Sequence, residues 1–254
     1  MTGCLKPPYS ERTECMPEAL HIILLTTIAG LCIPIGGAMA TIENLFPKWH
    51  QKEYRHFLIA LGGGILIGSV TEVLVPEGIK SLNHSMLSVP IIFAGGLTFF
   101  AIERQLALQR REAPQLIGML LDYIPEALAL GGLVALGSPT ALLLAVLIGL
   151  QNLPEGFNSY RELIHFNGNN TKRTLLSMLA LVPLGPIAGL IGYFFLASSN
   201  EVLGAIMLFS SGGILYLIFQ DIAPQSRLDK HWFPPLGAII GFCIAVFSHM
   251  LIVS

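Results

Sequence analysis

The feature that most constrains the fold is a series of apolar runs that fill most of the chain. About 20 apolar residues are needed for a helix to cross the hydrocarbon core of a bilayer. Of the 254 residues, 53% are hydrophobic and only 12% are charged. We therefore predict an all-α integral membrane protein with eight transmembrane helices. The predicted spans lie near residues 19–41, 56–76, 86–103, 114–137, 140–161, 174–198, 201–222 and 232–253.

The basic residues predict how these spans are oriented. Lys and Arg are enriched in the cytoplasmic loops of membrane proteins. If both termini are extracytoplasmic, eleven basic residues fall on the cytoplasmic side and three outside, and we predict this orientation. The cytoplasmic set is Lys48, Lys52, Arg55, Arg104, Arg110, Arg111, Arg161, Lys172, Arg173, Arg227 and Lys230, and the outer set is Lys6, Arg12 and Lys80. We divide the chain into an extracytoplasmic polar N-terminus, residues 1–18, and one transmembrane domain, residues 19–254.

Two Pro-Glu steps lie inside the fourth and fifth predicted spans, and they end in Glu126 and Glu155. A charge at the centre of a spanning helix costs about 2.5–3.5 kcal/mol. Neither apolar run contains a Lys or Arg that could offset this cost. The two carboxylates must therefore hold protons, bind a cation or face water.

Further polar residues accompany the two glutamates at helical spacing. Asp122 lies four residues before Glu126, and Gln151 lies four residues before Glu155, so each pair shares one helix face. The proline in each helix should free the carbonyl four residues earlier, which adds an oxygen to the same region. Two such faces in contact form an oxygen-rich pocket for a cation. The predicted ligands are Asp122, Glu126, Gln151, Asn152, Glu155 and Asn158, and Ser159 and Glu162 continue the second stripe.

The second and seventh spans share a short pattern. Ile65 is followed seven residues later by Glu72, and Ile214 is followed seven residues later by Asp221. Because an even and an odd span cross the membrane in opposite directions, the pattern indicates an inverted repeat. We predict a 3+2+3 arrangement, in which spans one to three are repeated by spans six to eight around spans four and five. We interpret the two acids as solvated residues near span ends, with a role at the entrance and exit as the alternative.

Together, the paired Pro-Glu steps, the eight spans and the glycine-rich second and seventh spans resemble the ZIP (Zrt-, Irt-like protein) family of metal transporters. The resemblance implies import of a divalent metal towards the cytoplasm through a two-metal site bridged by Glu126 and Glu155. It also implies a homodimer, in which spans one, four, five and six move past a scaffold of spans two, three, seven and eight.

The remaining ligand positions depart from the family pattern. Asp122 and Gln151 stand where histidine is usual. Tyr123 stands where asparagine is usual, Asn152 where an acid is usual, and Val182 where bacterial members often carry a glutamate. The resemblance with these departures implies that one metal position is kept and the second has lost its ligands. An all-oxygen donor set favours manganese, iron(II), magnesium or calcium over zinc, which prefers nitrogen and sulfur.

These features predict a transporter whose cargo is a divalent metal of the zinc, manganese or iron(II) class, with no catalytic cofactor. Two alternatives stay open: a degenerate family member that senses or receives metal without transporting it, and a carrier of protons or another solute that uses the same carboxylates. We do not predict an enzyme, because the seven histidines are scattered and form no His-Glu-x-x-His motif. The net charge of −2 indicates no nucleic-acid partner. The predicted partners are the metal ion, the lipid bilayer and a second copy of the chain.

Overall fold

The computed structural model describes residues 11–42, 48–108, 114–196, 198–229 and 231–253. Within these residues the regular secondary structure is helical, apart from one isolated bridge between Leu228 and His231. Of the predicted polar N-terminus, residues 1–10 lie outside the described part of the chain, and so do the loop residues Arg110, Arg111 and Lys230.

The described α-helices are long, and several are continued by π-helical turns. They are α1 (Glu11–Ile42), α2 (Lys48–Ser69), α3 (Val75–Ser81), α4 (Ser88–Leu108), α5 (Pro114–Ala135), α6 (Thr140–Phe166), α7 (Thr171–Leu179), α8 (Leu184–Ile191), α9 (Asn200–Leu217), α10 (Ala223–Ser226) and α11 (Leu236–Ile252). The π-helical turns are Val70–Leu74 after α2, Gly192–Leu196 after α8 and Ile218–Ile222 after α9.

Joined through these turns, the described helices include seven that are long and apolar enough to cross a membrane. Helix α11 is also apolar but has 17 residues, which is shorter than the other seven. The prediction of an all-helical chain with seven to eight long apolar helices is therefore confirmed, as expected of a multi-pass membrane protein.

The two Pro-Glu steps do not interrupt their helices. Helices α5 and α6 run continuously through Pro125 and Pro154. Two of the π-helical turns contain Glu72 and Asp221, the two acids of the repeated pattern. Each of these turns is followed by a helix with a proline in its first turn. A proline ring clashes with the carbonyl four residues earlier in a regular helix, and a wider turn relieves that clash.

Glycine allows four pairs of helices to pack at very short range. A Cβ at Gly36 of α1 would lie 2.1 Å from the Leu153 carbonyl oxygen, and one at Gly156 of α6 would lie 2.2 Å from the Ile33 oxygen. No side chain fits at such distances, so glycine is required at both positions. Equivalent reciprocal contacts join α5 to α8 with its π-helical turn (Gly131, Gly192), α4 to α9 (Gly95, Gly212) and α2 to α11 (Gly64, Gly241).

Helices α5 and α6 occupy the centre of the bundle. Helix α6 packs against α1, α2 and α5, and α5 also packs against α8 and α9. In each of the two central helices, 67% of the apolar 18-residue segment is buried by the rest of the protein, compared with 17% in α4. The two Pro-Glu steps are therefore surrounded by protein, whereas α4 presents most of its surface outwards.

Candidate functional site

Asp122 of α5 and Glu155 of α6 meet where the two central helices pack. Their carboxyl groups lie within hydrogen-bonding distance of each other, and Asp122 is 3% exposed. Asp122 Oδ1 and Glu155 Oε2 are both buried without a hydrogen-bond partner. Because ionised carboxylates only accept hydrogen bonds, this pair requires a proton or a cation between its members.

Glu126 lies one turn beyond Asp122 on α5, and it is fully buried. Ser69 Oγ, at the end of α2, donates a hydrogen bond of 2.9 Å to Glu126 Oε1. Gln151 Nε2 of α6 donates to Glu126 Oε2. Both oxygens of this carboxylate are therefore paired with neutral donors, in contrast to Asp122 and Glu155. Ser69 could not be predicted from the sequence, because a single serine in a glycine-rich apolar span has no periodic partner.

The three predicted amide ligands have different surroundings. Gln151 Oε1, Asn152 Oδ1 and Asn158 Oδ1 are all buried without a hydrogen-bond partner. Asn152 Nδ2, however, donates a 2.8 Å hydrogen bond to the backbone oxygen of Ala29 on α1, so this side chain joins α6 to α1. Asn158 lines the cavity described next, together with Asp122 and Glu155. Asn158 is thus the amide best placed to contribute an oxygen to the carboxylate pair.

A narrow cavity leads from the Asp122–Glu155 pair towards the side of the bundle where α5 begins and α6 ends. We call this side the basic face, because its connections carry most of the Lys and Arg residues. The space in this cavity that the centre of a water molecule can occupy is about 40 Å³. Each water needs about 10–15 Å³ of such volume, so the cavity has room for a few waters or a partly hydrated ion. Asp221 and Gln225 line it closer to the basic face.

Apolar side chains separate the site from the opposite face. Leu130 and Leu133 follow Glu126 on α5, Leu144 and Leu147 precede Gln151 on α6, and all four are at most 1% exposed. Leu203 and Met207 of α9 are likewise completely buried. The described structure therefore opens the carboxylate pair towards the basic face and closes it towards the other.

The rest of the polar stripe on α6 has structural partners. Glu162 accepts hydrogen bonds from the backbone amides of Gln115, at 3.0 and 3.2 Å, and of Leu116, at 3.3 Å. Ser159 Oγ lies 3.8 Å from the sulfur of Met119, to which it donates. Beyond Asn158, the stripe therefore joins α6 to the first turns of α5.

The two acids of the repeated pattern differ in their surroundings. Glu72 contacts the imidazole of His249 on α11, and their side chains are 21% and 35% exposed. Asp221 lines the cavity near the basic face. Glu72 is thus partnered by a histidine rather than freely solvated, whereas Asp221 lies on the route between the carboxylate pair and the basic face.

The donor set suits some ions better than others. Among the described residues, no three His, Cys, Asp or Glu side chains come close enough together to hold a metal ion. The site therefore offers two carboxylates, supplemented by amide oxygen and water. Magnesium is commonly bound by one or two carboxylates while it keeps several waters, and calcium and manganese also prefer oxygen ligands. Zinc, which favours a tetrahedral set rich in nitrogen and sulfur, fits these residues less well.

The chain was also compared with known proteins. No protein-family model matches it, and no curated protein is significantly similar to it. The geometry of the Asp122–Glu155 pair and the motifs in the sequence are therefore the basis for a functional proposal.

Proposed function

We propose that the protein is a transporter of divalent cations, which pass towards the cytoplasm through the carboxylate-rich site between α5 and α6. The observation that carries the proposal is the contact between the Asp122 and Glu155 carboxyl groups, each of which has a buried oxygen without a hydrogen-bond partner. No Lys, Arg or His lies between residues 114 and 160 to neutralise them. A doubly positive ion matches the charge of two carboxylates and offsets the cost of burying them.

The geometry around the pair supports movement of the ion rather than permanent storage. A structural metal site is closed on all sides, whereas this pair borders a cavity that leads to the basic face. The apolar side chains around Leu133 and Leu147 close the opposite route. This is the form that a carrier takes with its site open to one side, and transport requires a second form in which the opposite route opens.

The helix pairing supports the finer fold proposal of eight spans in a 3+2+3 arrangement with an inverted repeat. The pair α1–α6 is matched by the pair of α8 with α5, and the pair α2–α11 is matched by α9–α4. Exchanging spans one to three with six to eight, and four with five, converts each pair into its counterpart. The same exchange relates the π-helical turn at Glu72, in span two, to the one at Asp221, in span seven. Carriers built from inverted repeats alternate access by moving one set of helices against the other.

The orientation and the assembly are proposed from the sequence. The excess of Lys and Arg on the basic face favours a cytoplasmic location for that face, with both termini outside. The resemblance to the ZIP family further implies that the protein is a homodimer and that it imports the ion. Under this proposal the cavity seen here is the cytoplasmic exit.

Uptake by the full-length protein in proteoliposomes tests the proposal. We expect the wild type to take up manganese, and we expect Glu155→Gln to abolish uptake. Glu162→Gln is the matched control, because this second glutamate of α6 joins α5 rather than lining the cavity, and it should retain uptake. Manganese binding without uptake would favour the non-transporting receptor, and neither binding nor uptake would favour a carrier of protons or another solute.

A further inference from the structure

We infer that the cation is ligated by Asp122 and Glu155 without Glu126, and that Ser69 is the positioning residue that keeps Glu126 behind the site. This inference rests on the proposed function, and it names which of the three buried carboxylates contact the ion. It departs from a site bridged by Glu126 and Glu155, which the resemblance to the ZIP family implies.

The hydrogen bonds of Glu126 carry the first step. Each of its oxygens accepts a hydrogen bond, one from Ser69 at 2.9 Å and one from Gln151. Glu126 is completely buried and does not line the cavity, whereas Asp122 and Glu155 both do. To reach an ion in the cavity, the Glu126 carboxylate would have to turn away from its present position and break at least one of these hydrogen bonds. The donor left buried and unpaired would cost about 1–3 kcal/mol.

The grouping of the acids carries the second step. Within the described part of the chain, no three acidic, histidine or cysteine side chains converge on one point, so Glu126 does not join Asp122 and Glu155 in a three-carboxylate cluster. Gln151 also keeps Glu126 apart from the other two carboxylates. Its Nε2 donates to Glu126, and because the nitrogen and oxygen of an amide lie on different sides of its carbon, Gln151 Oε1 points away from that carboxylate.

Ser69 is held in place by its own surroundings. It is fully buried at the last residue of α2, directly before the π-helical turn Val70–Leu74. π-helical turns are frequent at functional sites, where they redirect the neighbouring side chains. Ser69 therefore connects the α2 segment to the Pro-Glu step of α5, and it fixes the direction of the Glu126 carboxylate.

The chemistry gives the two kinds of carboxylate different effects on selectivity. A charge that acts through space attracts every divalent ion at the same position by the same energy, because Coulomb's law contains only charge, distance and dielectric constant. A direct ligand distinguishes ions, because calcium accepts six to eight flexible oxygen ligands and smaller ions demand stricter geometry. Glu126 should thus raise affinity without selecting the ion, whereas Asp122 should do both.

The test measures apparent dissociation constants for manganese and calcium on the purified full-length protein, from the ion-dependent rise in its melting temperature. We expect Asp122→Asn to weaken binding by roughly tenfold or more, the loss typical of a charged contact, and to change the manganese-to-calcium ratio. Glu126→Gln should weaken binding of both ions by one common factor and leave the ratio as in the wild type. Ser69→Ala frees one oxygen of Glu126 and should change the ratio. Ser210→Ala, a buried serine of α9 whose hydroxyl has no hydrogen-bond partner, should not.

The outcomes separate this inference from the proposed function. If Glu126→Gln changes the ion ratio as Asp122→Asn does, Glu126 is a direct ligand and the inference is wrong. If Ser69→Ala leaves the ratio at the wild-type value, Ser69 does not position Glu126, and that part is wrong. If the wild type itself binds neither ion, the proposed function fails instead. The melting temperature without ion shows whether each variant is folded.

Discussion

The carboxylate of Glu162, near the end of α6, accepts hydrogen bonds from the backbone amide of Gln115, in the first turn of α5. The first amides of any helix have no partner within that helix, and a negative side chain there also interacts favourably with the helix dipole. The stripe of polar residues on α6 is therefore divided by function. Glu155 and Asn158 border the cavity, whereas Glu162 joins the ends of the two central helices.

This contact predicts a loss of stability when Glu162 is truncated. Replacing a capping side chain by alanine costs about 0.5–2 kcal/mol, and we expect Glu162→Ala to lower the free energy of unfolding by that amount. Glu162→Gln keeps an oxygen acceptor and should cost less. Chemical denaturation in detergent measures the difference. Equal losses for the two variants would show that the contribution is due to charge rather than to the hydrogen bonds.

The packing of α1 against α6 predicts that two glycines of the same helix respond differently to substitution. A Cβ at Gly156 would lie 2.2 Å from the Ile33 carbonyl oxygen, so the two helices must separate to accept Gly156→Ala. Gly149→Ala is the matched control on α6, because its Cβ would meet Ala29 and Cys32 at an ordinary 3.6 Å.

We expect Gly156→Ala to destabilise the protein by about 1–3 kcal/mol, as overpacking of a core does. Gly149→Ala should be neutral or slightly stabilising, because alanine favours the helix by about 1 kcal/mol over glycine. Melting temperatures of the two variants in the same detergent provide the comparison. A Gly156→Ala variant as stable as Gly149→Ala would contradict the short distance between the helices.

The sequence predicts the features that follow from periodicity and composition. The apolar runs correspond to the helices within a few residues, and the i, i+4 spacing brings Asp122 and Glu155 to the α5–α6 interface. Spacing also explains the different direction of Asn152, because adjacent residues differ by about 100° around a helix axis. Its amide consequently faces α1, while the amide of the preceding residue, Gln151, faces α5.

Contacts between distant parts of the chain could not be predicted in this way. Nothing in the order of residues shows that Ser69 donates to Glu126, or that His249 contacts Glu72. These pairs depend on how the helices pack, which one sequence does not specify. The π-helical turns at Glu72 and Asp221 are likewise set by the prolines that follow them together with packing, and the pattern of apolar residues does not distinguish these turns from regular helix.

The contact between Asp122 and Glu155 predicts that protons compete with the cation. Both carboxyl groups must lose their protons to bind an ion of charge +2, so binding releases protons and becomes weaker as the pH falls. We expect the apparent dissociation constant for manganese to rise on acidification in the wild type, and to rise less steeply in Asp122→Asn, which has one titrating ligand fewer. Affinities measured at several pH values by the melting-temperature shift test this. The same affinity at mildly acidic and mildly basic pH would contradict it.

The oxygen-only donor set predicts which ions the protein prefers. Asp122, Glu155 and Asn158 provide no nitrogen or sulfur, so manganese, magnesium or calcium should compete for uptake better than zinc does. Asp122→His introduces an imidazole next to Glu155 and would give a ligand set of both nitrogen and oxygen. We expect this variant to shift the preference towards zinc. Asp229→His adds the same group at an exposed position outside the cavity and should leave the preference unchanged. Competition of each unlabelled ion against labelled manganese uptake measures the order. If zinc is the strongest competitor in the wild type, the oxygen donors do not select the ion and the prediction is wrong.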